Sequence, residues 1–270
     1  MSALKMQLDE ELYEFVECVR PTHESHRDRM RSVRRFESIL RTSWPASKVE
    51  VFGSLATGLY LPDGDLDVVI SVPSLSNVPT EDVFADIARV VRSFNFADPG
   101  SLELLSHARV PLLKFQSLPD FGSYQFDVSL EHARDGPLGA IACLAILDKL
   151  DEVRVGRSDR VKGLVFAIKT LLQSKGLGSA RDGSLGGMSI FCLVVSFVQH
   201  DKRLERDCSP GTDLLAFLEW AASFDYERMA ISVVGRGSIR PKSTQSWTRN
   251  SKRRRVCIQH PTDLGELRPS

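Results

Sequence analysis

Between residues 48 and 130 the chain abandons helical spacing. Four short runs, KVEVF, DLDVVIS, ARVPLLKF and YQFDVSL, are β-branched or apolar and are bounded by Gly, Pro and Asp. On either side, apolar positions recur every three or four residues. Strands gathered in one segment, with helices before and after, point to an α+β fold with a small sheet domain.

Residues 4–19 carry Leu8, Leu12, Phe15, Val16 and Val19 at helical spacing until Pro21 breaks the pattern. Residues 23–42 are charge-dense, with apolar positions at Met30, Val33, Phe36, Ile39 and Leu40, the pattern of an exposed amphipathic helix. Within the sheet segment, residues 80–94 predict a helix with Thr80 as its N-cap. Beyond residue 136 the periodicity predicts helices over GPLGAIACLAILDKL, RVKGLVFAIKTLLQSK, the almost wholly apolar MSIFCLVVSFVQH, and residues 211–229. A glycine-rich loop spans residues 176–187, and from residue 235 the Gly, Ser, Thr and Arg content predicts loop.

The length, 270 residues, suits one large domain or two ordinary ones. Thirty-five Lys and Arg balance 35 Asp and Glu, so any grip on a polyanion rests on local patches. The five cysteines, Cys18, Cys143, Cys192, Cys208 and Cys257, are odd in number and form no CxxC. This argues against a disulfide framework or a structural zinc site and for a reducing compartment. The charged, amphipathic start is unlike a signal peptide, and the longest apolar run, residues 189–198, is about half a membrane span. The expectation is a soluble intracellular protein.

The chemistry concentrates in VFGSLATGLYLPDGDLDVVI, residues 51–70. Asp65 and Asp67 stand two apart at the head of a strand, so both project from one face while Leu66 turns to the core. Carboxylates this close repel, and a hard divalent cation relieves the conflict. Asp127 in YQFDVSL faces opposite to Phe126 and Val128 and offers a third acid for a two-metal site. Asp-x-Asp alone is as readily a turn with capping aspartates. Gly53-Ser54 after VEVF permits close approach of a ligand, and its amides and hydroxyl suit a phosphate. There is no GxxxxGK[ST].

FGSLATGLYLPDGDLDVVI, followed about sixty residues later by FDVS, which holds Asp127, resembles the DNA polymerase β-like nucleotidyltransferases. It is most similar to the noncanonical poly(A) polymerases of TRAMP-type RNA surveillance complexes. The likeness runs through ARVPLLKF, LVFAIKTLLQSKGL, SLGGMSIFCLVVSFV, FDYE and PKSTQSW, across most of residues 8–262. It implies a mixed-sheet catalytic domain over residues 30–135 and a helical central domain from residues 1–29 and 136–270, the latter incomplete at its C-terminus. It implies adenylate transfer from ATP to RNA 3′ ends, with Mg²⁺ or Mn²⁺ on Asp65, Asp67 and Asp127. Gly53 and Ser54 would hold the triphosphate, Lys169 and Lys175 would reach the β- and γ-phosphates, Ser189 would add a hydroxyl, and Tyr226 would stack on the base. Implied partners are a zinc-knuckle RNA-binding protein and an RNA helicase; no membrane is implied, and the location is nuclear or nucleolar.

One departure stands out. The family closes its base pocket with QDP, paired Asn residues and a downstream Arg, whereas this chain has CIQHPTDL at residues 257–264. The Asn pair is missing and His260 replaces the usual Asp, so weaker base selectivity is expected, and a uridylyltransferase stays open. So do a small-molecule or protein nucleotidyltransferase and a non-catalytic scaffold of the same fold. The run Lys252, Arg253, Arg254 and Arg255 reads as an RNA-phosphate contact, a nuclear localisation signal or a solvated basic tail.

Overall fold

The structure, a computed structural model, describes residues 3–108, 110–130, 135–178, 185–203, 208–248 and 256–262. The basic run 252–255 and residues 263 and 264 lie outside these. The chain divides into two compact units, Pro21–Ala140, and Met1–Arg20 with Ile141–Ser270.

The first unit is a five-stranded mixed sheet with helices. Its elements are α2 (His23–Ser43), β1 (Lys48–Val51), α3 (Gly53–Thr57), β2 (Leu66–Ser71), α4 (Thr80–Ser93), β3 (Glu103–Leu105), β4 (Leu112–Gln116) and β5 (Gln125–Leu130). The strand order is β1-β2-β5-β4-β3. Only β2 and β5 run parallel; the other pairs are antiparallel.

Alternation sorts the side chains. Leu66, Val68, Ile70, Leu113, Phe115, Phe126 and Val128 join α2 and α4 residues in one core. Phe36 of α2 meets Phe115 at 5.6 Å and Phe126 at 5.4 Å, and Phe115 stacks on Phe126 at 5.0 Å. Truncating a buried Phe costs about 3–5 kcal/mol, so this cluster pins the strand register. Thr22 caps α2 by accepting from Ser25 N at 3.0 Å. The sequence placed a boundary at residue 30. The structure places it after Arg20, because Val33, Phe36, Ile39 and Leu40 tie the whole of α2 to the sheet core. Thr80 is not a cap: it is the first residue of α4, and Glu81 and Asp82 complement the dipole of that turn instead.

The second unit contains α1 (Ala3–Val19), the greater part of α5 (Asp135–Val153), α6 (Arg157–Ser174), α7 (Gly187–His200), α8 (Pro210–Ser223), and a hairpin of β6 (Met229–Ser232) and β7 (Ser238–Pro241). The helix expected to run to residue 229 stops at Ser223. Asp225 Oδ1 accepts from Glu227 N at 3.2 Å and Arg228 N at 3.0 Å, a turn that competes with helix. The loop expected from residue 235 is partly strand. Residues 257–259 extend the hairpin, Ile231 N donating to Cys257 O at 2.9 Å and Gln259 N to Ile231 O at 2.8 Å.

A part-buried ion cluster around the buried Asp213 joins three segments of this unit. Arg160 of α6 binds Asp213 of α8 at 2.5 and 2.8 Å and also Asp201 after α7, while Arg203 binds Asp213 at 2.8 Å. Burial pushes the Asp201 carboxyl up, but hydrogen bonds from Arg203 and Arg160 more than reverse this and hold it well below the usual carboxylate range. A depressed carboxylate stabilises the fold above its unfolded pKa of about 3.9, and that contribution is lost as pH falls further. Arg160→Met is expected to cost up to about 3 kcal/mol at neutral pH, since it leaves the buried Asp213 carboxylate to Arg203 alone. It should also shrink the loss of stability below about pH 4. Urea unfolding at pH 7 and pH 3 measures both effects.

Candidate active site

The register of the sheet assembles the acids. Asp67 of β2 lies directly opposite Asp127 of β5, and Asp127 lies opposite Lys114 of β4. Facing residues of paired strands share a face, so the three form a row on the face away from the Phe36 cluster. Asp65 sits immediately before β2 and points the same way as Asp67.

Lys114 stands among the acids. Its Nζ is 2.6 Å from Asp127 Oδ1 and 3.9 Å from Asp65 Oδ2. Asp127 Oδ1 is buried, with the Lys114 ammonium as its close ionic neighbour. A carboxylate has several lone-pair sites, so Asp127 can accept a further ligand beside the ammonium.

Gly53 completes the group. Phe52 N donates to Asp67 O at 3.0 Å, which brings the next residue beside the Asp67 side chain. Gly53 has φ +60°, and a Cβ there would fall 2.2 Å from Asp67 Oδ2. Only glycine leaves that space. Ser54 follows, half-buried, in the first turn of α3. Three carboxylates brought together beside a bare Cα fit a hard cation with phosphate oxygens around it.

The other residues singled out from the sequence belong to the helical unit. Lys169 lies part-buried near the end of α6, and Lys175 is its exposed C-cap. Ser189 is in the first turn of α7. Tyr226 follows α8, packed on Phe224 at 4.8 Å, and burial raises its phenol pKa. Lys242 of PKSTQSW donates Nζ to Tyr226 O at 2.9 Å, which fixes this turn. His260 Nδ1 lies 2.5 Å from Thr262 Oγ1.

Two further features of this unit involve none of the candidate site residues. A cavity of about 370 Å³ is walled by α1, α6 and α8, with Leu12, Val16, Leu164 and Leu214 in its lining, and none of the candidate metal- or nucleotide-binding residues lines it. Asp201, Cys208 and Asp213 have ligand atoms within 4.8 Å of one another. Arg160 and Arg203 already engage both carboxylates, and burial raises the Cys208 thiol, so the trio does not suit a cation.

Sequence reasoning missed Lys114 and Lys242. Lys114 lies inside the quoted ARVPLLKF, where a charge in an otherwise apolar strand was the available signal. Lys114→Met removes an ammonium that stands among these carboxylates. The variant is expected to melt lower without metal and to gain more from millimolar Mg²⁺ than the unsubstituted chain, about 2–4 °C for each kcal/mol. Melting curves with Mg²⁺ and with EDTA test this.

Residues 8–132 match the family model described as poly(A) RNA polymerase, mitochondrial-like, central palm domain, and residues 211–265 match that of the Cid1 family poly A polymerases. The chain belongs to the noncanonical poly(A) polymerase family. It is 30% identical over 262 residues to the poly(A) RNA polymerase CID14 of Cryptococcus neoformans, covering 95% of this chain and 32% of that one. It thus spans about a third of that relative's length. A solved structure of the polymerase core of TRAMP, an RNA surveillance complex, superposes with a TM-score of 0.80 at 27% identity, covering 97% of this chain and 79% of that one. The fold is therefore the nucleotidyltransferase fold of that core. Another poly(A) polymerase family member, Trf4-2 of Drosophila melanogaster, is 27% identical, with 94% of this chain and 61% of that one covered, and is named inactive. Family membership alone thus does not decide activity; the acid row must.

Proposed function

We propose that the chain is the polymerase portion of a template-independent poly(A) polymerase, adding adenylates from ATP to RNA 3′ ends. The observation that carries this is the register of Asp67 against Asp127, with Asp65 beside them and the bare Gly53 at Asp67 Oδ2. The RNA 3′-hydroxyl attacks the α-phosphorus of ATP; a new P–O bond forms, the α–β bridge breaks and pyrophosphate leaves. Asp65, Asp67 and Asp127 would hold Mg²⁺ or Mn²⁺. When bound, a pair of such ions lowers the hydroxyl pKa and offsets charge on the leaving group.

The chain's own residues bind and orient. Gly53 lets phosphate approach the backbone and Ser54 offers a hydroxyl. Lys169 and Lys175 take the β- and γ-phosphates through charge-assisted contacts, and Ser189 adds another hydroxyl. Tyr226, its turn held by Lys242 and Phe224, stacks on the base.

Stacking tolerates any base, and discrimination comes from paired polar groups. This chain has His260 and no Asn pair at that point, so its preference for ATP is expected to fall below several thousandfold. Primer extension with each of ATP, UTP, CTP and GTP and Mg²⁺ decides. Preferred ATP supports the reading, preferred UTP makes the chain a uridylyltransferase, and no extension with any of them leaves a scaffold.

Likeness to the TRAMP core supports a role in nuclear RNA surveillance, with a zinc-knuckle RNA-binding protein and an RNA helicase as partners. Co-purification from cells tests the partners, and imaging of a tagged chain tests a nuclear or nucleolar location. Among the described residues no helix is long and apolar enough to cross a membrane.

A further inference from the structure

The arginines of α2 divide sharply. Arg27, Arg31, Arg34 and Arg35 are exposed, whereas Arg29 is 3% exposed. Arg29 falls on the same stripe as Val33, Phe36 and Leu40, a position where the helix otherwise places core residues. Burying a guanidinium is unfavourable unless it is well hydrogen-bonded.

Its bonds reach the loops that lead into both acid-bearing strands. Nη2 donates to Pro62 O at 2.5 Å and Nη1 to Gly64 O at 2.6 Å, bracketing the turn that ends at Asp65. The guanidinium also lies over the Tyr60 ring at 4.6 Å and the Tyr124 ring at 4.9 Å. Tyr124 immediately precedes β5, two strand positions before Phe126 and three before Asp127. Gly122, at φ +94°, makes room for that ring, since a Cβ would lie 2.3 Å from Tyr124 Cε2. One planar group therefore holds the entry to β2 by two carbonyls and the entry to β5 by an aromatic face.

Stability alone does not account for this choice. Arg29 Nε and Tyr60 Oη are buried without hydrogen-bond partners, which is costly. Replacing a buried charge with an apolar residue of similar volume is often neutral or stabilising. Lysine would keep the charge but not the rigid fork that spans two carbonyls.

We propose that Arg29 is a positioning residue for the metal site: it clamps the 62–64 turn and Tyr124 together and so sets the spacing of Asp65 and Asp67 against Asp127. The proposal rests on the reading of those three acids as metal ligands. Residues that orient ligands in this way typically change metal affinity about 10–100-fold when replaced.

The test is Mn²⁺ binding to the nucleotide-free chain, read by electron paramagnetic resonance, together with melting. Arg29→Met and Arg29→Lys are each expected to weaken Mn²⁺ binding at least about tenfold while the melting temperature stays level or rises. Unchanged affinity in both variants overturns the proposal, and recovery in Arg29→Lys overturns it in favour of a charge effect. If neither variant folds, Tyr124→Leu keeps the carbonyl bonds and removes the link to β5; several-fold weaker binding supports the clamp, and wild-type affinity overturns it. The Asp65→Ala, Asp67→Ala double variant is the reference. Failure of the unsubstituted chain to bind Mn²⁺ more tightly than this reference removes the metal reading itself, a result distinct from failure of the clamp.

Discussion

Asp65→Ala combined with Asp67→Ala is expected to abolish nucleotide addition, by on the order of 10³-fold or more, without lowering the melting temperature. The rate loss follows from the transition-state charge that a metal site stabilises: several kcal/mol, at tenfold for each 1.36 kcal/mol. The retained stability follows from the contacts of Lys114. Its close partner is Asp127, at 2.6 Å, so removing the other two acids does not strand its ammonium. It also relieves like-charge repulsion. Asp127→Ala should lose as much activity but behave differently in melting, because Lys114 is then left part-buried without its close partner. Matched primer-extension and melting measurements check both variants. Full extension by the double variant, with an unchanged melt, would remove the metal-site reading.

Gly53→Ala is the second substitution with a large expected effect. At φ +60° an L side chain carries about 1–2 kcal/mol of strain. The added Cβ would also meet Asp67 Oδ2 at 2.2 Å, so either the carboxylate or the strand end must shift. A displacement near 1 Å at a catalytic group can cost about 100-fold in rate. Extension should therefore fall on the order of 100-fold, far beyond what the modest stability loss explains. Gly58→Ala is the control: Gly58 also has positive φ, but a Cβ there meets nothing within 4 Å, so it should lose stability and keep its rate. Equal activity of the two variants would show that Gly53 matters only for its backbone angle.

Much of the candidate site's local geometry could be read along the chain. Asp127 was legible because strand alternation puts it opposite Phe126 and Val128, and Gly53 because it ends a strand before a turn. The motif context then linked them across sixty residues. Less legible was the end of α8. The apolar spacing continues past Ser223, but Asp225 captures two backbone N–H groups and stops the helix. Single residues of that kind override a periodic pattern, because a local side-chain bond competes directly with the helical one.

What the sequence by itself determined is which face each strand residue takes and which residue types are present, because alternation is local to one strand. It determined in this way that Asp65 and Asp67 project together and that Leu66, Phe126 and Val128 turn to a core. Only the tertiary structure decided that Asp67 lies level with Asp127, since register between distant strands depends on how the Phe36, Phe115 and Phe126 rings pack. It alone placed Lys114 among the carboxylates and closed Arg29 over turns at residues 62–64 and 124. Those contacts join segments up to 95 residues apart, between Arg29 and Tyr124, and no spacing along the chain encodes them.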